Sequence, residues 1–361
     1  MMKKIAFVLT ACFLLMIVAF AAGGGADDPL VSLSYLTGTF FEEVEGRVDQ
    51  ELDDSDKVIL DEADGGTISV TNTTTWTEMR LKQGDLLIGS TGTNILLLAG
   101  SAQVEYDSGA VVDVTAGIEV SSGTALSTNH RYMVAENTSA EFIVTSRTAV
   151  LDYQGSYDFK YSDAVDYNAM AAALKSLNLF KGSFTGYGKG YDLELVPTRL
   201  QALIMFIRVL GEEEQALSWT GTTHFTDIAK GSDAEKYVGY AYEMGYTNGY
   251  SAAQFKPGNP VNANQYTEFV LRAMGYSSTA NTNLADTLIR AEKAGILTEG
   301  ETALLKSGEF LRSDLVYISY YALEAELPDS RDTLADLLID KGVFERKDWR
   351  SAKELVTSNR L

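Results

Sequence analysis

An arginine at the first position of a helix is a chemical signal, because the free N–H groups there already carry positive potential and disfavour a cation. Arg199 stands at such a place in Val196-Pro197-Thr198-Arg199-Leu200-Gln201, and the helix runs on to Gly211. Thr198 has the acceptor to cap the first free N–H groups, and Gln201 follows at the capping-box spacing. Pro197 keeps the entering chain extended, and Gly211 is the natural left-handed stop. Leu200, Leu203, Ile204 and Ile207 recur at helical spacing and predict the buried face. A guanidinium set there against local preference points to an anionic partner; the plainer reading is a solvated arginine.

The pattern recurs, which favours the first reading. Gly190-Tyr191 to Gly211 lies over Gln254-Phe255 to Gly275, so that Arg208-Val209-Leu210-Gly211 falls on Arg272-Ala273-Met274-Gly275. Tyr161-Ser162-Asp163 falls on Phe225-Thr226-Asp227. Asn168–Phe180 and Tyr237–Tyr246 are matching first helices, each followed by a glycine turn, Lys181-Gly182 or Asn248-Gly249. A weaker third copy runs from Leu284 to Gly295 and then from Phe310-Leu311-Arg312-Ser313-Asp314 to Leu323. Each unit reads as helix, turn, extended prong and capped helix. One unit is too small to close a core alone, whereas three can bury their apolar faces together.

These residues resemble the S-layer homology family in its usual set of three modules. The likeness rests on Phe225-Thr226-Asp227-Ile228, on Tyr237 to Gly249, on Gln254-Phe255, and on Pro197-Thr198-Arg199-Leu200-Gln201 in the place of the family's Thr-Arg-Ala-Glu signature. It covers residues 158–345 and is strongest in the second module. The resemblance implies a mainly α, pseudo-threefold bundle whose grooves bind secondary cell-wall polysaccharide, often through a pyruvate ketal. By this likeness Arg199 and Arg312 are the signature arginines, and Thr198, Tyr191 and Phe255 join them at the glycan, the two rings stacking on its apolar face. A planar guanidinium suits a ketal carboxylate better than lysine does. In the second module the arginine is replaced by Ala263, with Asn262 and Gln265 left to cap, so that groove lacks its charged clamp.

The remaining chain sets the context. Residues 1–22 read as a signal peptide: Lys3 and Lys4, the apolar run Ile5–Phe20, and the small-x-small site Ala19-Phe20-Ala21. The run is too short to span a bilayer, so the mature protein is expected to be secreted to the cell wall or cell surface, without stable membrane insertion. Cys12, the single cysteine, lies inside that run rather than closing it, which argues against a lipid anchor. Residues 23–64 form an acidic lead; positions 27–64 hold thirteen acids against Arg47 and Lys57. Within it Thr37–Leu52 reads as a short amphipathic helix, and Asp53-Asp54-Ser55-Asp56 as a solvated loop without EF-hand spacing. A net charge of −21 argues against nucleic acid as a partner.

Residues 65–157 read as an all-β roll, sandwich or small barrel, with short strands punctuated by glycine turns. Leu96-Leu97-Leu98 is continuously apolar and predicts a strand buried on both faces. Asn129-His130-Arg131-Tyr132 is the chemically varied cluster of this region, and a lone histidine beside a strand is more often structural than a ligand. The modules then divide as 158–216, 217–280 and 281–345 (degenerate), with 346–361 as a C-terminal tail. With two histidines, no thiol beyond Cys12 and no nucleophile elbow or phosphate loop, neither a metal or cofactor site nor an enzyme is expected. An anchored hydrolase and a self-assembling surface-array subunit, its partner a second copy of the chain, are the competing readings.

Overall fold

The computed structural model describes residues 71–136, 138–182, 192–276 and 283–361. The chain divides into two units, 1–69 and 70–361. The signal peptide, the acidic lead with its helix and aspartate loop, and Tyr191 therefore lie outside the described residues.

The β-region is a nearly closed, barrel-like antiparallel sheet. Its strands are β1 (Thr71–Lys82), β2 (Leu86–Ser90), β3 (Asn94–Ala99), β4 (Ala102–Glu105), β5 (Ala110–Asp113), β6 (Ile118–Val120), β7 (Thr124–Ala125), β8 (Arg131–Ala135), β9 (Ser139–Val144) and β10 (Thr148–Lys160). They lie in the order β6-β5-β8-β3-β10-β2-β9-β4-β7, with β1 also on β10. Strands β2 and β3 share β10 as partner: Leu86 pairs Lys160, and Asn94 pairs Gln154 further along. Beyond them β2 pairs β9 whereas β3 pairs β8, so the sheet divides around this long central pairing. Alternate residues fill the interior, among them Leu87, Ile95, Leu97, Val104, Tyr132, Val134, Phe142 and Leu151.

Two expectations need correction here, and two short strands have no counterpart in the sequence reading. Leu96 and Leu98 are only half-buried while Ile95 and Leu97 face the core, because an antiparallel strand sends successive side chains to opposite faces. Strands β6 and β7 are too short to leave a sequence signature. Strand β10 runs past position 157 to Lys160, where it still pairs with Leu86.

The Asn129–Tyr132 cluster is tied to its neighbours by hydrogen bonds. His130 Nδ1 lies 2.7 Å from Asp113 Oδ2. Burial opposes ionisation of Asp113, but His130 and the Ala116 N–H outweigh it and hold the carboxyl below its usual range. Arg131 forks onto Asn94 Oδ1 at 3.1 and 2.9 Å, and Tyr132 Oη accepts the Ser127 N–H.

The helical region contains α1 (Tyr167–Ser176), α2 (Arg199–Val209), α3 (Glu213–Leu217), α4 (Asp233–Glu243), α5 (Ala263–Ala273), α6 (Thr287–Lys293), α7 (Glu299–Ser307), α8 (Arg312–Glu324), α9 (Leu334–Asp340) and α10 (Arg346–Glu354). Helices α2, α5 and α8 meet at its centre. Phe206 packs edge-on against Tyr266, whose hydroxyl lies 2.6 Å from Ser319 Oγ. The caps of α2 and α5 are complete boxes, Thr198 with Gln201 and Asn262 with Gln265. Gly211 has φ +69° after α2, and a Cβ there would press into Val343.

The prongs are held by backbone. Arg199 N donates to Asn259 O (2.8 Å) and Leu200 N to Pro257 O (3.1 Å). In the same way Arg312 N donates to Leu195 O (2.9 Å) and Ser313 N to Leu193 O (3.0 Å). Each arginine-headed helix thus starts against a prong from another part of the repeat. Asp227 of the Phe-Thr-Asp motif accepts the N–H groups of Phe255 and Lys256 at 2.9 and 2.7 Å, so that motif ties down its own module's prong.

The third copy departs from the predicted order, because α7, with its own Thr298–Glu301 capping box, stands between α6 and α8 where the other copies carry a prong. The C-terminal tail at 346–361 is packed. It forms α10, buries Trp349 and Ala352, and sends Arg360 back to Glu301 at 2.6 Å. Trp349 and Ala352, three apart on one face, give this segment an apolar stripe that must be covered.

Candidate functional site

Both predicted arginines stand at the first residue of their helices, and both are buried: Arg199 is 6% exposed and Arg312 is 9% exposed. Neither makes an ion pair among the described residues. Arg199 lies over Phe255 at 4.9 Å and over Phe269 at 5.3 Å, with one N–H donated to Gly249 O at 3.3 Å. Its Nε has no partner. Burial, reinforced by nearby Arg272, pushes the guanidinium down to about 10, so it stays charged at neutral pH. Gly249, which supplies that carbonyl, has φ +81°, and a Cβ there would strike the Phe225 ring.

Arg312 opens on a cleft of about 330 Å³. Phe180, Ile204, Met205 and Leu315 give it an apolar lining, and Lys181, Arg208, Gln201 and Gly182 complete the wall. The guanidinium carbon lies 5.9 Å from the centre of the Phe180 ring, and Nε is again unpartnered. Burial lowers the Arg312 pKa, Asp192 and Glu194 oppose this, and Arg208 adds to it. Glu213 accepts from Lys181 (2.6 Å), Arg208 (2.8 Å) and Tyr237 (2.8 Å), which fixes two more cations beside the cleft.

The Glu213 carboxyl is opposed by burial, yet those three hydrogen bonds bring it down to about 2. Stability from this group is fully present above its unfolded value of about 4.3 and is lost as pH falls toward 2. An NMR titration of the Glu213 carboxyl should find its midpoint near the folded value, and Lys181→Ala should raise it; an unchanged midpoint would refute this account of the cluster.

The sequence-based site is therefore only partly assembled. Arg199 and Arg312 are placed as expected, but at two separate helix starts. Thr198 spends its oxygen on the Gln201 N–H at 3.2 Å, as a cap. Phe255 is 0% exposed and cannot stack on a sugar; it forms the floor under Arg199 instead. Burial follows from its place on the prong, which Asp227 draws into the core. Tyr191 is outside the described residues. Ala263 begins α5 and lines another groove, with Asn262, Leu288, Leu305, Lys306 and Phe310.

Phe180, Lys181, Arg208 and the exposed Tyr250, whose ring holds Lys256 Nζ at 3.8 Å, were not anticipated at the site. The repeat held the signal. The Lys181-Gly182 turn stands beside Arg312 as the Asn248-Gly249 turn stands beside Arg199.

A buried guanidinium at a helix start, its Nε without a hydrogen-bond partner and, for Arg312, with an apolar cleft beside it, is suited to a ligand that carries an anion on a largely apolar face. Residues 224–262, spanning the Phe-Thr-Asp motif, α4 and the prong, match the S-layer homology domain. Over 183 residues, half of this chain, it is 27% identical to a protein of Thermoanaerobacter kivui named "Cell surface protein". The match spans only 23% of that relative's length. Among solved structures, similarity is found to the dTDP-6-deoxy-D-glucose-3,5-epimerase RmlC of Legionella pneumophila Philadelphia 1. Identity is 23%, the match covers 28% of this chain and 55% of that one, and the TM-score is 0.16. Procruciferin, an 11S globulin of Brassica napus, matches at 13% identity over 28% of this chain and 27% of its own, also with a TM-score of 0.16. At such TM-scores neither likeness carries an argument.

Proposed function

We propose that this is a secreted envelope protein whose helical region anchors it non-covalently to an acidic secondary cell-wall polysaccharide, displaying the β-region at the surface. The observation that carries the proposal is the pair of buried guanidiniums at the first residues of α2 and α8, neither of them ion-paired among the described residues. A fixed cation with an unused N–H beside a helix N-terminus recognises a carboxylate through charge-assisted hydrogen bonds. The pyruvate ketal of a sugar is the anion we assign, because it places a carboxylate next to a methyl group and the Arg312 cleft offers donors next to apolar side chains. The three copies are taken to ring α2, α5 and α8 in pseudo-threefold fashion, as the matching prong contacts suggest. The role is binding rather than catalysis, and the Glu213 cluster serves to hold cations rather than to move protons.

Co-sedimentation of the whole protein with purified Gram-positive walls tests this. Binding should be competed by soluble pyruvylated glycan and lost on walls stripped of the ketal. Retention on ketal-free walls would refute the ligand. Ala263→Arg restores the missing cation at the start of α5. It should strengthen wall binding by up to about tenfold, the equivalent of one further charge-assisted contact; unchanged or weaker binding by the folded variant would show that the Ala263 groove is not a site.

A further inference from the structure

We infer that Arg147, on the loop between β9 and β10, is a positioning residue for the Arg312 site, so that the β-region forms part of the anchor. The inference rests on the proposed glycan site and adds a residue from outside the helical repeats.

The argument begins with the cap of α8. Helices α2 and α5 begin after Thr198 and Asn262, whose side chains accept an N–H three residues on. Helix α8 begins after Leu311, which has no side-chain acceptor. One half of the box is therefore missing where Arg312 has to be aimed. The other half remains: Asp314 Oδ2 accepts the Leu311 N–H at 2.8 Å. The matching residues in α2 and α5 are glutamines, Gln201 and Gln265, whereas Asp314 carries a carboxyl group that is only 2% exposed, where burial pushes it up and Arg147 opposes the push. A buried carboxylate needs a fixed cation beside it.

That cation comes from the β-region. Arg147 Nη1 reaches both Asp314 oxygens at 2.5 Å. The Arg147 guanidinium also lies close against Gly308, just before α8, where a Cβ would come within 3.2 Å of Nη2. Two further contacts hold the regions together: Ser162 N donates to Asp85 Oδ1 at 2.8 Å, and Asn168 Nδ2 to Leu81 O at 3.3 Å. Arg147 thus steadies Asp314, Asp314 steadies the turn at Leu311, and that turn sets where Arg312 points. Arg147 itself need not touch the glycan.

The test uses the full chain, purified walls bearing pyruvylated polysaccharide, and hydrogen exchange at the Leu311 N–H, all well below the melting temperature. Arg147→Met should weaken wall binding by about tenfold and speed exchange at Leu311. The double variant Arg147→Met with Asp314→Asn removes the buried charge but keeps a neutral acceptor for the Leu311 N–H. It should regain most of the binding and the protection, and it keeps the test decisive if Arg147→Met alone fails to fold. Wild-type binding by folded Arg147→Met would overturn the inference, as would a double variant with restored protection but weak binding. Arg312→Ala run alongside separates the two proposals. If it binds like wild type, the glycan site is wrong. If it loses binding while Arg147→Met does not, the site stands and only the role of Arg147 falls.

Discussion

Arg312→Ala is expected to weaken wall binding by roughly 10- to 100-fold, which corresponds to about 1.5–3 kcal/mol for a lost charge-assisted contact. The fold should survive, because the substitution removes a buried cation that has no ion-pair partner among the described residues and leaves the apolar wall of the cleft in place. Arg312→Lys should recover only part of the loss, since it keeps the charge but not the planar fork. Arg199→Ala should also reduce binding, and it should cost stability as well, because this guanidinium fills the space between Phe255 and Phe269. The double variant should lose binding most severely. Co-sedimentation, with circular dichroism as the control for folding, checks all four. A double variant that sediments with walls as wild type does would refute the assignment of both arginines.

Arg360→Ala is expected to destabilise the protein by about 3–5 kcal/mol, the range for stripping a buried charge of its partner. Arg360 makes two bonds to Glu301, at 2.6 and 3.0 Å, and a third to Ile296 O at 2.8 Å. The Glu301 side chain is 0% exposed and also takes the Tyr317 hydroxyl at 2.7 Å. Losing Arg360 leaves that carboxylate buried with only neutral donors. Urea unfolding should show a lower midpoint with an unchanged slope. Arg360→Ala combined with Glu301→Gln should be less unstable than Arg360→Ala alone, because the lone charge is gone; a midpoint equal to wild type in the single variant would show that the pair contributes nothing.

What could be read in advance was local. The capping box, the apolar stripe and the glycine stop of α2 all lie within sixteen consecutive residues, and each is specified by its own neighbours. The repeat located Arg312 because spacing survives divergence. What escaped was decided by distant partners. Phe255 looked available because it sits on a prong, but Asp227, far back in the chain, pulls that prong inward. Asp314 stands at the same place in its repeat as Gln201 and Gln265, and its pairing with Arg147 depends on burial that no local pattern reports. Helix α7 stands where the other copies carry a prong, which breaks the period used to find the repeats. The stripe of Trp349 and Ala352 was visible in principle, but its charged surroundings resembled a solvated end.

The docking of residues 346–361 also bears on how the anchor forms. The Asp166 N–H is bonded to Ser358 Oγ, a contact that spans 192 residues, and Arg360 meets Glu301 across 59. These are ring closures: the first helix of the anchor is not sealed until its most distal stretch comes back to it. Chains with such non-local contacts tend to fold slowly, because the loop must close before the contact contributes. A nascent chain halted before Ser358 would therefore lack both closures, and its helical region would pack less tightly.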